Sequence, residues 1–290
     1  MVTDTPLKDA FPRASTLAEA DSILSGLAHE EFTELRRLCP DPAVADLFIF
    51  GNEFYNCKGH LKAKLAGLAC EPVPDGRVTP EAVERLWNGL VTPFDAILAE
   101  PIATLRRLVA EPPVDVATLI DWILDGAYLR WASRTARELR APLIRQYVES
   151  FALFRTMAMT WRAQAAGVPM DQFAAIVLTG ELDRPELRKQ CTADREQRRQ
   201  WLLKRLPEPV VEAIFTGDER ELMDRFDVQI DNYLLRTACE MKAITFGPER
   251  VFGYLIAVQR QTHNLRLCLA GQANRIPTEL LSGRLRGSYA

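Results

Sequence analysis

Histidine is scarce in this chain of 290 residues: there are three, His29, His60 and His263. The six cysteines, Cys39, Cys57, Cys70, Cys191, Cys239 and Cys268, contain no C-x-x-C pair. Neither a disulfide framework nor a structural zinc site is expected from them, and a free cysteine on an apolar helix face acts as a small hydrophobe. His29-Glu30 opens like the metal-binding H-E-x-x-H, but Thr33 stands where the second ligand belongs. There is no P-loop and no G-x-G-x-x-G to cradle a nucleotide phosphate. Charge of one sign is also lacking: 36 basic and 39 acidic residues leave a formal net charge of −3, against bulk nucleic-acid binding. No stretch approaches the ~18 to 20 uncharged apolar residues of a membrane span. The longest apolar runs, Phe252 to Val258 and Phe173 to Leu178, have the length of core-helix segments. Residues 1–10 include Asp4 and Asp9 and lack the basic-then-apolar start of a secretory signal. These absences predict a soluble intracellular protein without cofactor, metal, small-molecule substrate or nucleic acid.

What is present is helical punctuation. Thr16-Leu17-Ala18-Glu19 has the form of a capping box. Asp41-Pro42, Thr79-Pro80 and Thr92-Pro93 each place a good N-cap before a proline at the first helical position, and Gly247-Pro248 marks a further start. Gly67, Gly167 and Gly180 are candidate stops. Between these marks apolar residues recur at three and four, not at two, and no hairpin signal has strand-like flanks; Asp75-Gly76 sits in a proline-rich loop. Long helices are predicted over 42–67, 115–138, 142–166, 218–243 and 248–273, with linkers around Glu71 to Val78 and Gly180 to Pro185. The expected fold class is all-α.

The helices contain a degenerate repeat. Phe54, Cys57, Leu61, Leu65 and Leu68 form an apolar stripe. It recurs 100 residues on as Phe154, Met157, Trp161, Ala165 and Val168, and 208 residues on as Thr262, Leu265, Leu269, Ala273 and Ile276. Any amphipathic helix has such a stripe, so the polar residues in the same frame carry more. Asn56 and Lys58 precede Lys62-Ala63-Lys64 and Gly67; Thr156 and Ala158 precede Arg162-Ala163-Gln164 and Gly167; Asn264 and Arg266 precede Gly271-Gln272. Three units of ~100 residues fit the chain length and predict a division at 1–78, 79–180 and 181–290. A helix-interior asparagine needs a reason to be tolerated, which favours an interhelical hydrogen bond for Asn56 and Asn264. Lys58, Lys62, Lys64, Arg162 and Arg266 are equally readable as contacts for another chain or as a solvated face with buried stems.

Other features are less pointed. His60 and His263 lie on repeat helices with no orienting carboxylate or nucleophile beside them in the sequence. Asp227 and Asp231, one turn apart, have the spacing of a bundle metal pair but no Glu-x-x-His partner. Arg184 to Arg205, with Arg188-Lys189 and Arg198-Arg199, reads as a single mixed-charge helix with a solvated face. Its alternative reading is a contact for an acidic partner or for lipid headgroups.

With these residues in place, the sequence resembles a known family. Phe246-Gly247-Pro248-Glu249, Gly253-Tyr254-Leu255, His263-Asn264-Leu265-Arg266, Gly271, Arg284-Leu285-Arg286 and Tyr289 look like its closing signature. The family is that of the C-type subunit of V-type and archaeal-type (V/A) rotary ATPases, known by the letter d in eukaryotes. Asp46 to Gly67, with Tyr55-Asn56-x-Lys58 and Lys62-Ala63-Lys64, is similar to the family's first-repeat motif. The chain departs from the family at Thr156 and Ala158, at His263 where glutamate is usual, at Gln272 where lysine is usual, and in the shorter stretch before Asp46.

The resemblance implies a non-catalytic role: three helical units form a funnel-shaped socket on the cytoplasmic face of the membrane, one copy per complex. The socket receives the central shaft, made of the D and F subunits, and rests on the membrane proteolipid ring. Ring rotation is thereby coupled to shaft rotation for proton or sodium transport. Lys58, Lys62, Lys64, Arg162, Arg266, Arg284 and Arg286 are then candidate partner contacts. Tyr55, Asn56, Gly67, Gly167, Gly247, Pro248, Tyr254, Asn264 and Tyr289 are structural motif residues. The alternatives are an all-helical adaptor derived from this family without a rotary role, and a helical enzyme with an unrecognised site.

Overall fold

The computed structural model describes residues 16–68, 78–90, 96–112, 114–177 and 184–287. All regular structure among them is helical, so the chain is all-α. In chain order the described helices are α1 (Leu17–Leu38), α2 (Ala43–Ala66), α3 (Pro80–Trp87), α4 (Ala96–Leu108), α5 (Val116–Glu138), α6 (Pro142–Ala165), α7 (Met170–Ile176), α8 (Arg184–Thr192), α9 (Arg195–Leu203), α10 (Glu208–Phe215), α11 (Leu222–Glu240), α12 (Pro248–Ala273) and α13 (Thr278–Ser282). No helix among the described residues is long and apolar enough to cross a membrane. Thr92-Pro93, Gly180, Cys70, Asp75-Gly76, Tyr289 and most of both expected linkers lie outside the described residues.

The starts follow from local chemistry. Thr16 Oγ1 accepts from the Glu19 amide at 3.1 Å while the Glu19 carboxylate accepts from the Thr16 amide at 3.3 Å, the reciprocal pair of a capping box. Thr79 Oγ1 accepts from the Ala82 amide at 3.2 Å with Pro80 in the first turn, and Asp41 accepts from the Ala43 amide at 3.1 Å. Each such cap contributes about 1 kcal/mol.

The ends of α2, α6 and α12 close in the same way. Gly67, Gly167 and Arg275 have φ of 67°, 73° and 53°. In each case the next amide reaches back five residues: Leu68 to the Ala63 carbonyl at 2.8 Å, Val168 to Ala163 at 3.1 Å, and Ile276 to Gly271 at 2.9 Å. The left-handed residue itself donates three residues back, to Lys64, Gln164 and Gln272. This is a Schellman closure. The third end adopts it with arginine in a conformation that favours glycine.

One expectation is corrected. The stretch from Arg184 to Arg205 is not one helix: α8 stops at Thr192, and Asp194 caps α9, accepting from the Gln197 amide at 2.8 Å while the Gln197 side chain accepts from the Asp194 amide at 3.0 Å. A capping aspartate offers the backbone a partner outside the helix and so breaks the run. The stretch expected over 218–243 is helical from Glu219 to Ala243, with 3₁₀ turns at Glu219–Glu221 and Met241–Ala243 flanking α11.

The described residues divide into two compact units, those up to 49 together with those from 231 on in the first, and those between 50 and 230 in the second. In the first, α1 packs along α12. Leu24 and Leu265 are buried there with Leu27 and Leu269 around them, and Phe32, Phe48 and Phe252 form a run of rings with centroids 5.4 and 5.1 Å apart. In the second, α5 packs on α6, and a core built from Phe54, Leu61, Leu105, Leu119 and Ile123 draws on α2, α4 and α5. Trp161 is buried edge-on to Phe226 at 4.9 Å, and Trp122 to Phe173 at 4.8 Å. Burying a side chain of this size stabilises by roughly 1.5–3 kcal/mol. Burial, with Glu53 beside it, pushes the Cys57 thiol up to about 12, so it is an inert part of this core.

The apolar stripe is buried over its first three members on α2 and α6, while Leu65, Leu68 and Ala165 are exposed. On α12, Leu265 is the buried member.

Candidate partner-contact site

On α2, Phe54, Cys57 and Leu61 face the core, which turns Lys58 and Lys62 toward α5. There Asp121 and Asp125, also one turn apart, complete a ladder. Lys58 Nζ lies 2.6 Å from Asp125 and 3.8 Å from Asp121, and Lys62 Nζ lies 2.8 Å from Asp121. Burial raises the Asp125 carboxyl above its ordinary value, and the Lys58 ammonium opposes that rise. Lys64 pairs instead with Glu84 of α3. Thus the three lysines of one motif point to two different helices.

Each also borders a different hollow in the second unit. Lys64 and the buried His60 line a cavity of about 340 Å³, and the His60 Nε2 has no hydrogen-bond partner among the described residues. Lys62 borders a mostly apolar groove of about 520 Å³ with Leu65, Leu68, Val109 and Ile120. Lys58 lines a cavity of about 300 Å³ together with Tyr55, Asp125, Tyr128, Arg155 and Arg162. Tyr55 is 60% exposed at its mouth. Arg155 and Arg162, two turns apart on α6, both approach Asp227 of α11, Arg155 at 3.8 Å and Arg162 in direct hydrogen bond. Three residues that the sequence singles out, Tyr55, Lys58 and Arg162, therefore meet in one place.

In the first unit the motif residues bind the chain to itself. The Asn264 amide nitrogen donates to the Arg286 carbonyl and its oxygen accepts from the Arg286 amide, both at 3.0 Å. Asn232 accepts from the Gly287 amide at 2.8 Å. Asp231 is buried and takes two guanidinium groups, Arg260 at 3.1 Å and Arg286 at 2.8 Å. The Arg286 guanidinium also donates to the Arg284 carbonyl at 2.6 Å. Arg266 pairs with Asp21 at 2.5 Å and bonds Ser25. The Tyr254 hydroxyl donates to Glu31 at 3.0 Å; burial and that carboxylate raise the phenol above its ordinary value. Gly247 has φ 132°, a backbone conformation that residues with a Cβ rarely adopt, which favours glycine at the entry of α12.

Asn56 is buried on α2, and Thr156 is buried with its hydroxyl on the Ala152 carbonyl of its own helix. Arg198 sits over the Trp161 ring at 5.0 Å. Asp227 and Asp231 are each engaged by two arginines. No group of three metal-ligating side chains occurs among the described residues. Sequence reasoning passed over Asp121, Asp125, Arg155 and Arg260. The signal for the first two was an acidic i, i+4 pair matching the i, i+4 lysines of α2; nothing local marked the others.

Compared with known proteins, the chain matches the ATP synthase (C/AC39) subunit family over residues 5–284. It belongs to that family. No curated protein matches it. Members of the C/AC39 family are subunits of the V/A-type ATPase complex other than the catalytic one. The two motifs described above, Tyr55 to Gly67 on α2 and the α12-to-tail clasp, both fall largely within the matched residues.

Proposed function

We propose that this C/AC39-family chain is the central-stalk component that couples the rotating shaft, made of the D and F subunits, to the membrane proteolipid ring of a V/A-type ATPase or ATP synthase. It does so without catalysis or cofactor, one copy per complex, as a peripheral protein on the cytoplasmic face. The observation that carries this reading is the family match over residues 5–284. Its physics is compatible: a torque coupler has to resist bending, and long helices, capped at the start of α1 and α5 and ended by Schellman closures on α2, α6 and α12, supply stiffness. Gly67, Gly167 and Arg275 close their helices at the same place in the repeat frame, which supports the division into units 1–78, 79–180 and 181–290; Gly89 closes α3 alike but outside that frame. Lys58, Lys62, Lys64, Arg162, Arg266 and Arg286 each hold an ion pair within the chain, and in this reading they and Arg284 are the residues assigned to a partner.

The test is a pull-down of the tagged chain from detergent-solubilised native membranes, with bound chains identified by mass. Shaft and proteolipid subunits are the expected catch. A chain recovered alone from membranes that contain an intact rotary ATPase would overturn the coupling role and leave the adaptor reading.

A further inference from the structure

Phe246 is the most exposed large apolar side chain among the described residues, with 89% of its surface open. Single leucines on helix faces, such as Leu38 and Leu280, are ordinary on a protein surface. Phe246 differs, because the backbone around it is organised to hold it out. The 3₁₀ turn Met241–Ala243 leads into it from α11 and is anchored by the buried Met241. The Ile244 amide closes that turn on the Met241 carbonyl at 3.2 Å. From the first turn of α12 the Arg250 guanidinium reaches back and donates to the Lys242 and Ile244 carbonyls at 3.3 and 3.4 Å.

The charges of this tip are of one sign. Residues 241–248 contain Lys242 and no Asp or Glu; Glu240 and Glu249 flank them, and Glu249 is buried. Arg250 spends one terminal nitrogen on the two carbonyls and pairs with no carboxylate among the described residues. A backbone carbonyl carries no net charge, so the guanidinium stays uncompensated, and its remaining N–H groups are open to an anion. Lys242 and Arg250 are both exposed. One turn further along α12 the sign changes, where Tyr254 donates to Glu31 of α1.

We propose that the tip 241–250 rests in the anionic headgroup layer of the membrane, with the Phe246 ring at the boundary of the acyl chains and Lys242 and Arg250 on lipid phosphates. The inference rests on the proposed function, which brings the chain against the membrane face, and it names a contact with lipid rather than with another subunit. An aromatic ring with cations beside it suits that layer, where the ring leaves water and the cations stay in it. A ring this exposed protrudes and offers no recess, so it enters its partner, and a lipid layer yields to such a shape without a preformed pocket. The whole chain carries a net charge of −3, so attraction to an anionic surface is confined to the tip and orients the chain tip-first. One ring and two cations hold weakly by themselves, but a chain already tethered by its complex has a high effective concentration at the membrane.

The experiment places a photo-crosslinking phenylalanine at position 246 of the full chain and adds this chain back to native membranes stripped of the endogenous copy. Adducts are identified by mass. In parallel, Phe246→Trp is reconstituted with the rest of the complex in vesicles of phosphatidylglycerol and phosphatidylcholine whose acyl chains are brominated near the headgroup. Its fluorescence is compared with that of wild type, which has five tryptophans. Both substituted chains should rebind like wild type, because each keeps an aromatic ring at an exposed position. The expected results are lipid adducts at position 246 and emission from the added tryptophan that bromine quenches about twofold or more. Lys242→Glu, combined with the crosslinker, should cut the yield of lipid adducts about threefold or more. A crosslink to another subunit or to a second copy of this chain, the absence of lipid adducts and quenching in the rebound chain, or a yield unchanged by Lys242→Glu would overturn it. Failure of the wild-type chain to rebind is a distinct result, which would overturn the proposed function together with the inference resting on it.

Discussion

On α12, Asn264 and Arg266 hold segments distant in the sequence: Asn264 grips the backbone of Arg286 with two hydrogen bonds, and Arg266 reaches Asp21 and Ser25 of α1. On α2 the corresponding Lys58 joins a ladder with Asp121 and Asp125 whose carboxylates are 40% exposed. The basic member of the spacing is the more exposed on α12, Arg266 at 42% against Lys58 at 18%; what is buried in the first unit is the Asp231 cluster that Arg286 joins beside the Asn264 clasp. In that cluster, Asp231 is 4% exposed and its two arginines 10% and 13%. Burial, more than residue type, separates the two, because a charge removed from water depends on its partner far more than one that water can serve.

That contrast is open to direct attack. Asp231→Ala strands the Arg260 and Arg286 guanidinium groups in a buried site and is expected to destabilise by about 3–5 kcal/mol in urea unfolding. Asp121→Ala, in the exposed ladder, should cost about 1 kcal/mol or less. Equal losses would mean that burial does not separate the two systems.

Asn264→Ala removes both bonds to the Arg286 backbone and should cost about 1–3 kcal/mol, with faster hydrogen exchange at the Arg286 amide. Thr156 occupies the same place in the repeat frame, but its hydroxyl bonds a carbonyl of its own helix. Thr156→Val should therefore cost about 1 kcal/mol or less. A large loss at Thr156 would show that the second copy depends on that hydroxyl after all.

The helix ends give a smaller, signed comparison. Gly67→Ala puts a Cβ into a left-handed residue and should destabilise by about 1 kcal/mol. Arg275→Gly relaxes the same conformation and should stabilise by about 0.5–1 kcal/mol, read as a rise in melting temperature.

The smallest effect is in pH. Because the Asp125 carboxyl is raised by burial, it holds its proton more tightly in the folded chain than in the unfolded one. Its contribution to stability is therefore most favourable below the ordinary carboxylate range and is lost as pH rises through the raised value. Asp125→Asn should flatten that part of the stability-against-pH curve, measured by melting between the two limits. A curve unchanged by the substitution would mean that Lys58 fully offsets the burial.

Much of the architecture is legible in the residues alone. The capping box at Thr16, the Thr79-Pro80 start, the Gly247-Pro248 start and the stops at Gly67 and Gly167 all stand where local chemistry places them. The break at Asp194 is not so plain, although aspartate followed three residues later by glutamine is itself a start signal; the dense charge around it masks the cap. The left-handed Arg275 is hidden because the residue type argues against that conformation. Of the candidate contacts, the sequence marks Tyr55, Lys58 and Arg162 separately and does not show that they share a cavity.

The sequence by itself determined the helices, where most of them start and stop, and the family, because caps, closures and periodicity involve residues within about five positions of one another. The tertiary structure alone decided which charges are buried and which carboxylate each cation meets. Lys58 and Asp125 are 67 residues apart, and Arg266 and Asp21 are 245 apart. Pairing at that range is set by how helices pack, and packing follows apolar burial, which leaves no local mark on the charged residues that it brings together.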